Sequence, residues 1–173
     1  SRVSGDRAFG SGCGARAIVP AWSPTRGGSA MMPAMADQMI RITSGDVAFL
    51  ARLETEKSPQ TCAAFLTLLP YEQKMIHVRW SGESCWIPLG DFDLGVPFED
   101  ATSHPAPGEI LWYPGGISEC ELLFPYGPCC FASKAGQLAG NHFLTIVEGK
   151  EQLHALGAST LQVGALPIRF ELV

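Results

Sequence analysis

Residues 39–173 predict a mainly β fold, a closed antiparallel β-barrel with two capping α-helices, and three observations carry that expectation. Short apolar-alternating runs recur along the chain, glycine- and proline-rich turns separate them, and only two stretches have a helical period. Many short strands with few helices bury their apolar faces by closing the sheet on itself, which also removes exposed edges.

The first element is a hairpin. In "MIRITSGDVAFLARL", Ile40 and Ile42 alternate with polar residues, Ser-Gly-Asp makes a turn, and Val47, Phe49, Ala51 and Leu53 share one face of the return strand. A helix follows in "EKSPQTCAAFLTLLP". Ser58 is its expected N-cap and Pro59 takes the first helical position, where a missing N–H costs nothing. Cys62, Phe65, Leu66 and Leu69 form one apolar stripe, and Pro70 ends it. Strands are expected at about 75–80, 84–88, 109–113, 119–124, 141–147 and 165–172, punctuated by "PAPGE", "YPGG" and "PYGP". A second short helix is expected at about 150–156.

The first 38 residues read differently. They hold six glycines, scattered arginines and no apolar period, the composition of a disordered tail or extension; Met31, Met32 and Met35 stand just before the patterned sequence begins. Residues 1–36 carry four arginines and Asp6, leaving eight basic and sixteen acidic groups beyond them. An acidic body repels phosphate backbones, so nucleic acid is not an expected partner. No run approaches the roughly 18 apolar residues that a spanning helix needs, so no membrane partner is expected either.

Six cysteines occur without a C-x-x-C pair or histidines at zinc-finger spacing. With no secretory apolar core, this reads as a reduced cytoplasmic protein, with Cys129 and Cys130 as buried thiols. No metal-ligand spacing and no phosphate-binding G-x-x-x-x-G-K appears, so neither metal nor other cofactor is expected.

The pieces "AFLARLETEKSPQTCAAF", "MIHVRW", "LGDF" and "TIVEGKEQL" occur in an order that resembles the cyclophilin fold. That fold runs from a strand through a P-K-T-x-x-N-F helix, an F-H-R-I strand and a G-G-D-F turn to a V-x-x-G helix start. "RWSGESCW" and "GEILWYPGG" are more closely similar to segments of small bacterial cyclophilin-like families of largely unknown biochemistry. The resemblance spans residues 40 to 173 and implies a cyclophilin-like barrel with Arg79 on its ligand face. Prolyl isomerisation is the alternative activity that it implies. Here, however, Pro88 or its neighbours occupy the expected glutamine position, "CELLF" replaces a strand with two aromatics, and no tryptophan follows Trp112.

Several residues are candidates for chemistry. In a strand over 75–80, Ile76, Val78 and Trp80 make the natural inner face, leaving His77 and Arg79 outside. Arg79 offers a planar fork for a carboxylate or polarised carbonyl, or a surface ion pair. Glu83, in the Gly82 turn, is a general base or a structural partner of Arg79. His77 is a proton carrier or an ordinary hydrogen-bonded histidine. Glu119 and Glu121 share a strand face, Glu119 being the preferred acid because it lies nearer the turn. Cys85 and Cys120 would need a neighbour that stabilises thiolate. Trp86, Tyr113, Tyr126 and Asn141 complete an expected ligand wall. The expected partner is a small polar molecule, an amide or cyclic imide if the protein is an enzyme. A dimerising or docking module without catalysis is the other reading.

Overall fold

The computed structural model describes residues 38–173; the expected N-terminal tail lies outside them but for Gln38. Strands β1 (Met39–Ser44) and β2 (Val47–Leu53) form the expected hairpin. Its two-residue turn begins with Gly45 at φ 58°, a conformation open to glycine at no steric cost. Helix α1 (Pro59–Leu66) leads into β3 (Tyr71–His77) and β4 (Gly82–Gly90). Then come β5 (Ala101–Thr102), β6 (Glu109–Tyr113), β7 (Cys120–Cys129), β8 (Ala132–Ser133), β9 (Gly136–Gln137) and β10 (Gly140–Glu148). A 3-10 turn (Lys150–Gln152), helix α2 (Leu153–Val163) and β11 (Leu166–Leu172) complete the chain.

Eight strands close into an antiparallel barrel in the order β2-β1-β11-β3-β4-β7-β6-β10, with β10 returning to β2 and the short β5 added on β10. Ile40 pairs with both Ala51 and Leu172, so a hairpin formed locally is locked by the last strand of the chain. The barrel is filled by alternate residues, among them Ile40, Ile42, Phe49, Ala51, Ile87, Leu122, Phe124 and Phe170.

The two helices cover opposite mouths. From α1, Phe65 is wholly buried among aromatic edges, with ring centroids 4.9 Å from Phe143, 5.5 Å from Phe170 and 5.8 Å from Tyr71. From α2, Leu153 and Leu156 enter the other end. Gly157 lets the helix backbone lie directly on the Tyr126 ring, where any Cβ would collide. This helix runs to Val163, well past the expected 156.

The cap of α1 differs from expectation. Ser58 makes no side-chain cap bond, and its buried Oγ has no partner. Glu99 replaces it: its carboxylate accepts the N–H groups of Gln60 and Thr61, both at 2.9 Å, and the Thr61 hydroxyl at 2.7 Å. A carboxylate satisfies these free donors and also meets the positive end of the helix dipole, which a serine hydroxyl does not do as strongly.

The face of β3 is also reversed. Met75 is fully buried, His77 points the same way, and Trp80 lies beyond the strand with 57% of its surface exposed. The expected inner trio Ile76, Val78 and Trp80 belongs to the outer side, because the α2 end of the barrel holds a tyrosine able to pair with His77.

Candidate functional site

The outer face of β4, β7 and β6 is not simply solvated. Leu111, Tyr113, Leu123, Phe131 and Leu138 form a second apolar cluster, with Val78 and Cys129 packed beside it. The β8–β9 hairpin folds over this face, joined by bonds between Phe131 N–H and Ser103 O (2.7 Å) and Leu138 N–H and Phe131 O (2.9 Å). Ser81 ties the hairpin to the β3–β4 turn: its hydroxyl donates to Ala132 O at 3.0 Å and accepts Ala132 N–H at 3.1 Å.

Between that turn, the hairpin and the sheet is a cleft of about 210 Å³. Trp86 and Leu123, opposite each other across β4 and β7, lie along it with Val78 and Phe131. Arg79 and Trp80 enter from the turn, Ser133 and Lys134 from the hairpin, and Ser118, Glu119 and Glu121 from the start of β7. Among the described residues neither Arg79 nor Lys134 makes an ion pair.

Glu121 is the perturbed group in the cleft. It is only 6% exposed, and burial, helped by the negative charge of Glu119, pushes its carboxyl up to about 7. Such a carboxyl is near half-protonated at neutral pH, able to donate as an acid or accept as a base. Glu119, the acid preferred from sequence, is exposed, and its Oε2 accepts the Gly90 N–H at 3.1 Å. Nearness to the turn is thus what leaves Glu119 wet, while Glu121, one step into the sheet opposite Tyr113, is covered.

The residues expected to form one site divide among three places. Arg79, Trp86 and Glu119 line the outer cleft, and Tyr113 packs beneath it against Phe131, centroids 5.8 Å apart. His77, Tyr126 and Glu83 lie at the α2 end instead. His77 Nδ1 is 2.8 Å from Val78 O; because that carbonyl only accepts, Nδ1 carries the proton and Nε2 accepts the Tyr126 hydroxyl at 2.7 Å. Glu83 lies across Gly127, which has no Cβ to obstruct it, and reaches His154 at 3.9 Å rather than Arg79. Asn141 is buried near α1: its amide donates to Thr61 Oγ1 (2.9 Å) and Pro97 O (2.8 Å) and accepts Glu99 N–H (2.8 Å), so its three side-chain bonds tie the helix to the loop that caps it.

The two candidate cysteines stay unreactive in character. Cys85 and Cys120 are buried, and burial pushes each thiol up to about 11, away from thiolate. All five described cysteines are free; contrary to expectation Cys130 is exposed and Cys129 half-buried, because the chain leaves β7 there. Among the described residues no group of three or more histidines, cysteines or acids could hold a metal ion. None of the described helices is long and apolar enough to cross a membrane.

Barrel and cleft together define a closed antiparallel β-barrel protein whose outer face carries a small half-covered cleft. The chain belongs to the DUF3830 family, described as protein of unknown function, whose model matches residues 40–172. No curated protein matches it. Among solved structures, that of McbB in complex with tryptophan is similar, at 19% identity and a TM-score of 0.58, covering 76% of this chain and 44% of that one. This chain therefore spans less than half the length of McbB, and the likeness is one of fold. The solution structure of the hypothetical protein AF2241 from Archaeoglobus fulgidus is similar at 13% identity and a TM-score of 0.47, covering 79% of this chain and 95% of that one.

Proposed function

We propose that the outer cleft binds a small polar ligand, an amide or cyclic imide, and that Glu121 exchanges a proton with its N–C=O group while Arg79 grips an acceptor oxygen. The observation that carries this reading is a buried carboxyl held near neutrality and opening onto a cleft with an unpaired guanidinium. An apolar floor strengthens both contacts by lowering the local dielectric. The element order supports a cyclophilin-like barrel, and the five free cysteines support a reducing, cytoplasmic setting.

A thermal-shift screen of small amides, cyclic imides and carboxylates tests the reading. A ligand at a hundred times its Kd stabilises the protein by about 2.7 kcal/mol. That shift is expected in the wild type and lost in Arg79→Ala. Absence of any ligand-induced shift would favour a docking module, and Arg79-dependent isomerisation of a proline peptide would refute the small-ligand reading.

A further inference from the structure

The cleft is polar along its length. The register sets Pro88 opposite Glu121, Trp86 opposite Leu123 and Gly82 opposite Cys129, so position along β4 and β7 orders the lining groups. Glu119 and Glu121 belong to the Pro88 end. Arg79 and Lys134 belong to the other, brought there by the turn before β4 and the hairpin after β7. Trp86 and Leu123 lie between these ends, with the Phe131 side chain beside them.

Two cations on separate elements thus share one end of a cleft, and neither pairs with the two carboxylates that line the same space. Ser81 ties the turn that carries Arg79 to the hairpin that carries Lys134 by its paired bonds to Ala132, two residues from Lys134. A guanidinium fork and an ammonium at the same end of a cleft suit a carboxylate, which accepts from both, better than a neutral carbonyl. The volume of about 210 Å³ exceeds the roughly 150 Å³ of a cavity that takes benzene, leaving room for one ring with small substituents.

We propose that the cleft takes an amide that carries a carboxylate at the far end of a flat apolar body, the carboxylate between Arg79 and Lys134 and the amide at Glu121. This rests on the reading of the cleft as an amide site and adds the second group its ligand carries. Lys134 is thereby a specificity residue.

Calorimetric titration of the full chain with three matched probes tests it: 4-carbamoylbenzoate, its neutral diamide terephthalamide, and the dianion terephthalate. The expected order puts 4-carbamoylbenzoate at least tenfold tighter than either of the others. Arg79→Gln and Lys134→Gln each weaken it about tenfold, the loss of one charge-assisted bond, and Lys134→Gln leaves terephthalamide unchanged. Equal binding of the diamide, with Lys134→Gln silent, overturns the carboxylate end while the amide site stands. Terephthalate binding as tightly as 4-carbamoylbenzoate overturns the amide end, and with it the amide-site reading. Binding of none of the three overturns both.

Discussion

Replacing Glu121 with glutamine removes the one described carboxyl that burial holds near neutrality, and the effect on stability has a definite sign and pH window. Below about pH 4.5 the carboxyl is protonated in both folded and unfolded chains and costs nothing. Between there and about 7 the folded protein keeps a proton that the unfolded chain has released, so stability falls as pH rises. Above about 7 the group is ionised in both states and the whole cost is present. From 4.5 to about 7 that cost is about 3 kcal/mol, at 1.36 kcal/mol per pH unit. A glutamine of nearly equal shape carries no such penalty. Urea denaturation at pH 5 and pH 8 measures it: relative to the wild type, Glu121→Gln is expected to gain about 2–3 kcal/mol between the two conditions, whatever constant offset the amide brings. Parallel pH profiles for the two proteins would refute the burial argument.

Other perturbations probe the frame that positions the cleft. Phe65→Ala, emptying the aromatic cluster under α1, is expected to cost about 3–5 kcal/mol in denaturant unfolding. Glu99→Ala strips the cap from α1 and is expected to cost about 1–2 kcal/mol by the same measurement, whereas Ser58→Ala, which removes no cap bond, costs less. Gly157→Ala forces a Cβ into the Tyr126 ring; a loss of about 1–3 kcal/mol or more is expected, with a changed His77 side-chain NMR signal as the Tyr126 hydroxyl is displaced.

What the sequence displays is local, and what it hides is not. The β1–β2 hairpin is legible because strict alternation meets a turn glycine within fifteen residues, and α1 because Ser-Pro precedes an apolar stripe. The true cap of α1 is Glu99, 38 residues from the N–H it serves on Thr61, and no local pattern announces it. The β3 face is misread because hydrophobicity alone ranks Ile76, Val78 and Trp80 above Met75 and His77. The interior accepts the histidine because Tyr126, brought from β7, satisfies it. The β8–β9 hairpin escapes notice because its strands have two residues each, and "FASKAGQL" has a single large apolar side chain at either end. That hairpin builds the cleft, so without it Glu121 and Glu119 look alike. Arg79, Trp86 and Glu119, grouped from sequence, line one cleft, while Lys134 goes unnoticed there and Glu121, ranked below Glu119, is the acid that the fold buries.

Carbon-detected NMR titration of the glutamate side-chain carboxyls tests the central claim most directly. The account predicts one glutamate with its midpoint near 7, missing in Glu121→Gln and shifted downward but still elevated in Glu119→Gln, because burial is the larger cause and the neighbouring charge the smaller. Finding every glutamate at ordinary carboxylate values, with no resonance lost from the neutral range in Glu121→Gln, would contradict it.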